Sequence, residues 1–201
     1  MTHAALPGAR DPHALLAQAR RTWGGHGDLW VFGYASLIWR PEFEFVEERA
    51  ATVYGFHRAL EMRSRVNRGT PERPGLVFAL VPGGSCRGKA YRIEQRIADA
   101  ELEKLWRREM PTGIYDAKWL PCRTPLGRVP ALAFTLSRHS PAHTGCVPDE
   151  QMVEILRHAS GRYGSTLAYL LDTATCLRSH GIVDRDIERI VELARRHALA
   201  P

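Results

Sequence analysis

An α+β fold is predicted for this chain of 201 residues, because its two stretches carry different periodicities. From Leu29 to Leu136 short apolar or alternating runs are separated by Pro/Gly turns, which is the pattern of strands. After residue 147 the pattern changes to that of helices. Hydrophobic residues make up 44% and charged residues 25%, ordinary for a chain with one buried core, so residues 29–201 are read as a single domain.

Residues 1–28 are expected to be an N-terminal extension: a Pro/Gly-rich start, a short amphipathic helix over about Pro12 to Thr22, and a GGHG linker. Strands are predicted at LWVFGY, ATVYGFHRALEM, GLVFALV, GKAYRI, AKWLPCRT and VPALAFTL, with one helix between them at about Ile97 to Arg108. The later helices are placed at about Pro148 to Ser160, at Tyr163 to Ser179 closed by Gly181, and at Asp184 to His197 with Asp184 as N-cap.

Bulk properties exclude several functions. No apolar run approaches the roughly 20 residues of a membrane span, and MTHAALPGARDPHALLAQAR lacks a basic-then-apolar export pattern, so a cytoplasmic protein is expected. The net charge of +6 invites a nucleic-acid reading, but arginines alternate with acids, as in PEFEFVEER and DRDIERIVELARR, without a basic block. Cys86, Cys122, Cys146 and Cys176 form no C-x-x-C pair, so free buried thiols are expected rather than a zinc knuckle or a redox motif.

Three motifs fail on chemistry. GGSCRGKA, residues 83–90, has the spacing of a phosphate loop, but Ala90 replaces the magnesium-binding hydroxyl and YRI continues as a strand. A hairpin turn joining GLVFALV to KAYRI is expected instead. His139, His143, Cys146 and Asp149 match no metal-ligand spacing, with Pro141 and Pro148 excluding one helical face. GYASL lacks the second glycine of a nucleophile elbow, so Ser36 is not read as a nucleophile.

Two features remain. The apolar run LWVFGYASLIWRPEF, residues 29–43, is broken by Gly33, Tyr34, Ala35 and Ser36, and such a break exposes backbone N–H groups able to bind a carboxylate or oxyanion. Gly33 would permit close approach, and the Tyr34 and Ser36 hydroxyls would add hydrogen bonds. The helix ADAELEKLWRREM must end near Met110, before Pro111. Glu109 therefore sits in the last turn, where the helix dipole disfavours a carboxylate while suiting Arg107 and Arg108. The plain alternative is a surface ion pair; partial burial by MPTGIY would instead raise its pKa towards the range of a general base.

Together, WVFGYASLIW, PGLVFALV, CRGKAYR, the glutamate after WRR and GRYGSTLAYLL resemble the ChaC-type glutathione-specific γ-glutamylcyclotransferases over about Leu29 to Leu193. The resemblance implies a small mixed β-barrel with flanking helices and a helical C-terminal part. It implies a substrate loop at Val31, Phe32, Gly33, Tyr34, Ala35, Ser36 and Leu37, Glu109 as general acid/base, glutathione as substrate, and neither cofactor nor metal. A monomer or weak dimer is expected. Tyr115 and Tyr163 are further candidates for gripping the Cys-Gly portion. Where the family usually reads Tyr-Gly-Ser-Leu this chain has Ala35, which would be strained at a positive φ.

The implied reaction is internal: the substrate α-amine attacks its own γ-carbonyl, closing 5-oxoproline and expelling Cys-Gly. Two alternatives stay open: a cyclotransferase for other γ-glutamyl amines or amino acids, and a non-catalytic binding module of the same fold.

Overall fold

Asp11 opens the first helix, α1 (Pro12–Trp23): its carboxylate accepts the His13 amide at 2.9 Å, and Pro12 supplies a ready-made helical φ at the first position. Gly24, at φ 75, closes it in the left-handed conformation. These coordinates are a computed structural model describing residues 9–200; the expected Pro/Gly-rich start lies outside the described residues. Within them the backbone divides into two units, residues 9–58 with 80–141, and residues 59–79 with 142–200.

The first unit is built on β1 (Leu29–Gly33), β2 (Glu47–Ser64), β3 (Gly75–Ile93), β4 (Asp116–Thr124) and β5 (Gly127–Thr135), which close a barrel in the order β1-β3-β2-β4-β5; β2 and β3 contribute to both units. β1 runs antiparallel to β3, with Val31 opposite Tyr91, and parallel to β5, with Val31 beside Leu132. β4 and β5 form a hairpin whose register runs from Asp116 opposite Thr135 to Thr124 opposite Gly127. α2 (Ser36–Trp39) is a single turn after β1, and α3 (Gln95–Glu109) follows β3.

The run Ala131 to Leu136 is buried at every position, because α3 covers the barrel there: the Trp106 ring meets Phe134 edge-on at 5.8 Å. α1 in turn packs on α3. Trp106 Nε1 donates to the Pro12 carbonyl at 2.8 Å, and Arg20 pairs with Asp99 at 2.6 Å.

The hairpin expected at residues 83–90 does not form. Gly83 and Gly84, at φ 111 and 69, let β3 bend and carry on as one strand of 19 residues. Gly88 lies inside that strand, where a Cβ would collide with the Gly33 carbonyl oxygen, so its glycine serves close packing and not a turn.

In the second unit α4 (Asp149–His158), the small bridge of β6 (Ser160–Gly161) with β7 (Gly164–Ser165), α5 (Thr166–Ser179) and α6 (Arg185–Arg196) follow in sequence. α5 starts three residues later than expected because Gly164–Ser165 pairs back on Ser160–Gly161 first. Ser165 caps α5 by accepting the Ala168 amide, and Asp184 caps α6 by accepting that of Ile187, as expected. α6 turns Ile187, Ile190, Val191 and Ala194 inward and its charges outward. No described helix is long and apolar enough to cross a membrane. Cys86 and Cys122 are buried as expected, but Cys146 is exposed and Cys176 half-buried. Burial pushes the Cys122 thiol up to about 12.

Candidate active site

The break at Gly33 is a sharp change from strand to helix. β1 ends at Gly33, Tyr34 and Ala35 turn the chain, and α2 begins at Ser36. Ala35 has φ −140 and ψ −117, so the positive φ at which alanine would be strained does not occur there. The Ile38 amide closes on Ala35 O and the Arg40 amide on Ser36 O, both at 2.8 Å. The amides of Ala35, Ser36 and Leu37 have no acceptor among the described residues. Three donors at one turn are the backbone cluster that the sequence pattern predicts.

Several of the expected loop residues act differently from a direct ligand grip. Val31, Phe32 and Leu37 are core side chains, so they offer a ligand only backbone. Gly33 is closely packed: a Cβ there would lie 3.0 Å from the Tyr91 ring and 3.1 Å from Leu37, so these neighbours would have to give by a few tenths of an ångström. The Tyr34 hydroxyl donates to Phe134 O at 3.0 Å and is buried. Ser36 Oγ accepts from Arg108 Nη2 at 3.1 Å, which leaves its own hydrogen to donate.

Glu109 is the last residue of α3, and the Met110 amide closes the helix on Trp106 O at 2.8 Å. Its side chain is 16% exposed, so it does not sit on the open surface. Arg108 Nε meets Glu109 Oε1 at 2.9 Å, which is the arginine pairing of the plain alternative, here formed in a half-enclosed place. Oε2 has no partner among the described residues. Burial pushes the Glu109 pKa up; Arg108 pulls it down, and the charge of Glu42 raises it again.

Arg108 joins the two predicted features. Its Nη1 donates to the carbonyls of Arg40 and Pro41 and to Glu42 Oε2 at 3.0 Å, while Nη2 reaches Ser36. One guanidinium therefore ties the amide turn to the carboxylate, and with Glu42 it is a site residue that sequence reading did not single out. A second is Arg58, buried in the barrel and donating through Nε to Tyr34 O and through Nη2 to Arg87 O. The signal available for it was a cation set inside the apolar strand ATVYGFHRALEM.

Tyr115 is buried with its ring 6.4 Å from that of Phe134, in the same unit as Glu109. Tyr163 belongs to the other unit, where its ring is exposed and stacked by Arg162. There too, His143 Nε2 lies 2.9 Å from Glu61 Oε2.

A five-stranded barrel with an amide turn at the end of its first strand and a half-buried carboxylate beside it defines a class. The same fold occurs in the crystal structure of a yeast γ-glutamyl cyclotransferase specific to glutathione, with TM-score 0.76 and 21% identity over 85% of this chain and 97% of that one. The chain belongs to the ChaC-like protein family, whose pattern matches residues 29–197. It is 36% identical to the glutathione-specific γ-glutamylcyclotransferase of Escherichia coli K12, over 79% of this chain and 69% of that protein. It is 32% identical to the glutathione-specific γ-glutamylcyclotransferase 1 of Mus musculus, over 88% of this chain and 83% of its relative.

Proposed function

We propose that this protein is a glutathione-specific γ-glutamylcyclotransferase, a lyase that degrades glutathione to 5-oxoproline and Cys-Gly. The observation that carries the reading is the pairing of one unpartnered oxygen on Glu109 with the free amides of Ala35, Ser36 and Leu37, joined through Arg108. In this reading the Ala35–Leu37 turn takes the anionic end of the γ-glutamyl group or the oxyanion forming at its γ-carbon. Because Val31, Phe32 and Leu37 are buried, the turn works through its backbone and the Ser36 hydroxyl. Tyr115, in the same unit as Glu109, is proposed for the Cys-Gly portion.

The substrate amine reaches the enzyme as an ammonium ion and must lose a proton before it can attack. Glu109 Oε2 takes that proton. The amine nitrogen then bonds to the γ-carbon, and the carbonyl π electrons move to oxygen beside the amides. Collapse of that oxyanion breaks the bond to the cysteinyl nitrogen, which receives the proton held by Glu109, and the second proton on the ring nitrogen then passes through Glu109 to the departing amine, which leaves as an ammonium. The lactam and the dipeptide leave, and Glu109 is again ionised. Attacker and target share one molecule, so positioning supplies much of the rate and the protein needs no side-chain nucleophile and no cofactor. General acid/base help contributes about 10² to 10⁴ in rate, and each good oxyanion donor about 10² to 10³.

We propose that the reaction takes place in the cytoplasm, where glutathione keeps thiols reduced, in agreement with four cysteines that form no disulfide. The protein is proposed to act as a monomer or weak dimer. The test is 5-oxoproline release from glutathione by the purified protein without added metal, beside γ-glutamyl amino acids and amines as competing substrates. Release from glutathione above all others is expected. Preference for another γ-glutamyl compound would reassign the substrate, and binding without release would leave a non-catalytic module.

A further inference from the structure

Arg40, Glu42, Arg108 and Glu109 form a line of alternating charge. Arg40 Nε donates to Glu42 Oε1 at 2.5 Å and Arg108 Nη1 to Glu42 Oε2 at 3.0 Å, while Arg108 Nε forms an ion pair with Glu109 Oε1 at 2.9 Å. Side-chain exposure falls along the line from 56% at Arg40 to 16% at Glu109, so solvent screens its inner end least. Glu42 is held at φ 56, a conformation that only Ala198 shares with it among the described non-glycine residues. A non-glycine residue adopts that backbone at a cost, and the cost here brings a carboxylate onto Arg108.

We propose that Arg108 is a positioning residue for both Glu109 and Ser36, and that Glu42, acting through Arg108, sets how readily Glu109 accepts a proton; this rests on the cyclotransferase reading above. Three consequences follow from the contacts. Arg108 pairs with Oε1 of Glu109 at 2.9 Å, which fixes the carboxylate, while Oε2 accepts no hydrogen bond among the described residues and is left for the substrate ammonium. It occupies a lone pair of Ser36 Oγ, so the serine hydroxyl faces a ligand as a donor. It also spans the amide turn and the base with one planar group, so their separation is set by covalent geometry.

An arginine alone beside Glu109 would hold it ionised and weaken it as a base. Glu42 offsets that charge. The charged groups acting on Glu109 are Arg108 from its own helix and Glu42 from the segment before β2, with Arg40 acting through Glu42. Removing Glu42 and removing Arg108 should therefore move Glu109 in opposite directions, a result that a merely structural role for either does not produce.

The experiment is kcat/KM for glutathione against pH for the wild type, Glu42→Gln, Arg108→Gln and Arg108→Lys. Alongside it, the Glu109 carboxyl is titrated by ¹³C NMR, with its resonance assigned by difference from Glu109→Gln. The acid limb is expected to move down by about half a pH unit or more in Glu42→Gln and up in Arg108→Gln. Arg108→Lys should keep the limb near its place while kcat falls at least about tenfold, because a point charge cannot hold its three side-chain partners, Ser36, Glu42 and Glu109, at once. Limbs that stay put or move together overturn the proposal, and so does an undiminished kcat in Arg108→Lys. If Arg108→Gln fails to fold, the other two variants decide. The NMR titration needs no turnover. Opposite shifts in a protein inert towards every γ-glutamyl compound would keep the coupling and remove the cyclotransferase reading instead.

Discussion

Helix α3 carries two enclosed glutamates, one at its middle and one at its end, and the structure uses them in opposite ways. Glu101 is 2% exposed, with both oxygens engaged: Lys104 Nζ donates to Oε1 at 2.6 Å and the Glu44 amide to Oε2 at 3.1 Å. Glu109 has one oxygen engaged, by the arginine next to it, and one without a partner among the described residues. Burial of a carboxylate therefore does not mark a reactive site by itself. What separates the two is whether the acceptors are satisfied, because a satisfied carboxylate is a structural pin and an unsatisfied one is poised for a proton.

The widest separation is expected from Glu109→Gln. The amide cannot carry a proton between the two nitrogens, so kcat should fall by about 10² to 10⁴ while glutathione still binds. A stability measurement sharpens the contrast. Folding raises the Glu109 pKa above its ordinary value of 4.5, mainly by burial, so the native state holds a proton there more tightly than the unfolded chain. The destabilisation this causes is absent below pH 4.5 and grows as pH rises through the folded-state pKa. Thermal melts of Glu109→Gln against the wild type should therefore show the variant gaining at neutral pH and losing that gain in acid. Equal activity in both proteins would break the comparison outright.

Gly88→Ala tests the turn without touching the carboxylate. The new methyl would meet the Gly33 carbonyl oxygen and the Phe32 ring, so overpacking of about 1 to 3 kcal/mol is expected, with the Ala35–Leu37 amides displaced. Activity should drop while the Glu109 titration stays in place. A soluble, fully active Gly88→Ala protein would show that the amide turn tolerates movement and is not part of the chemistry.

Glu101→Ala is the converse of the first variant. It removes the acceptor of the part-buried Glu44 amide, a net loss of about 1 kcal/mol, and the melting temperature should fall. Per folded molecule, kcat should stay close to the wild-type value. If kcat falls as far as in Glu109→Gln, the middle and the end of α3 are not functionally separate.

These two glutamates also show what a sequence can convey. Glu109 was legible because its context is local: Pro111 fixes the helix end, and a carboxylate at that end opposes the dipole. The interruption at Gly33 to Ser36 was legible for the same reason, as was the Asp184 cap. Arg108 was legible as a helix-end cation and not as the joint of the site, because its partners Ser36 and Glu42 lie 72 and 66 residues away and only the barrel brings them close. The false hairpin at residues 83–90 has the same origin. Two adjacent glycines signal a turn, and only their place within β3 turns that signal into a bend.

Tyr34→Phe carries the smallest expected effect and asks how the turn itself is divided. Its hydroxyl is donated to the buried Phe134 carbonyl, so removing it strands an acceptor and should lower stability by about 1 kcal/mol. A tyrosine held that way shapes the turn and does not give its hydrogen to the substrate, so KM for glutathione should change by less than about threefold, a difference near 0.6 kcal/mol. A KM rise of tenfold or more with an unchanged melt would mean that the hydroxyl leaves Phe134 when glutathione binds. The Tyr34 side chain would then join Ser36 as a direct contact, and the turn would be a site of hydroxyls as much as of amides.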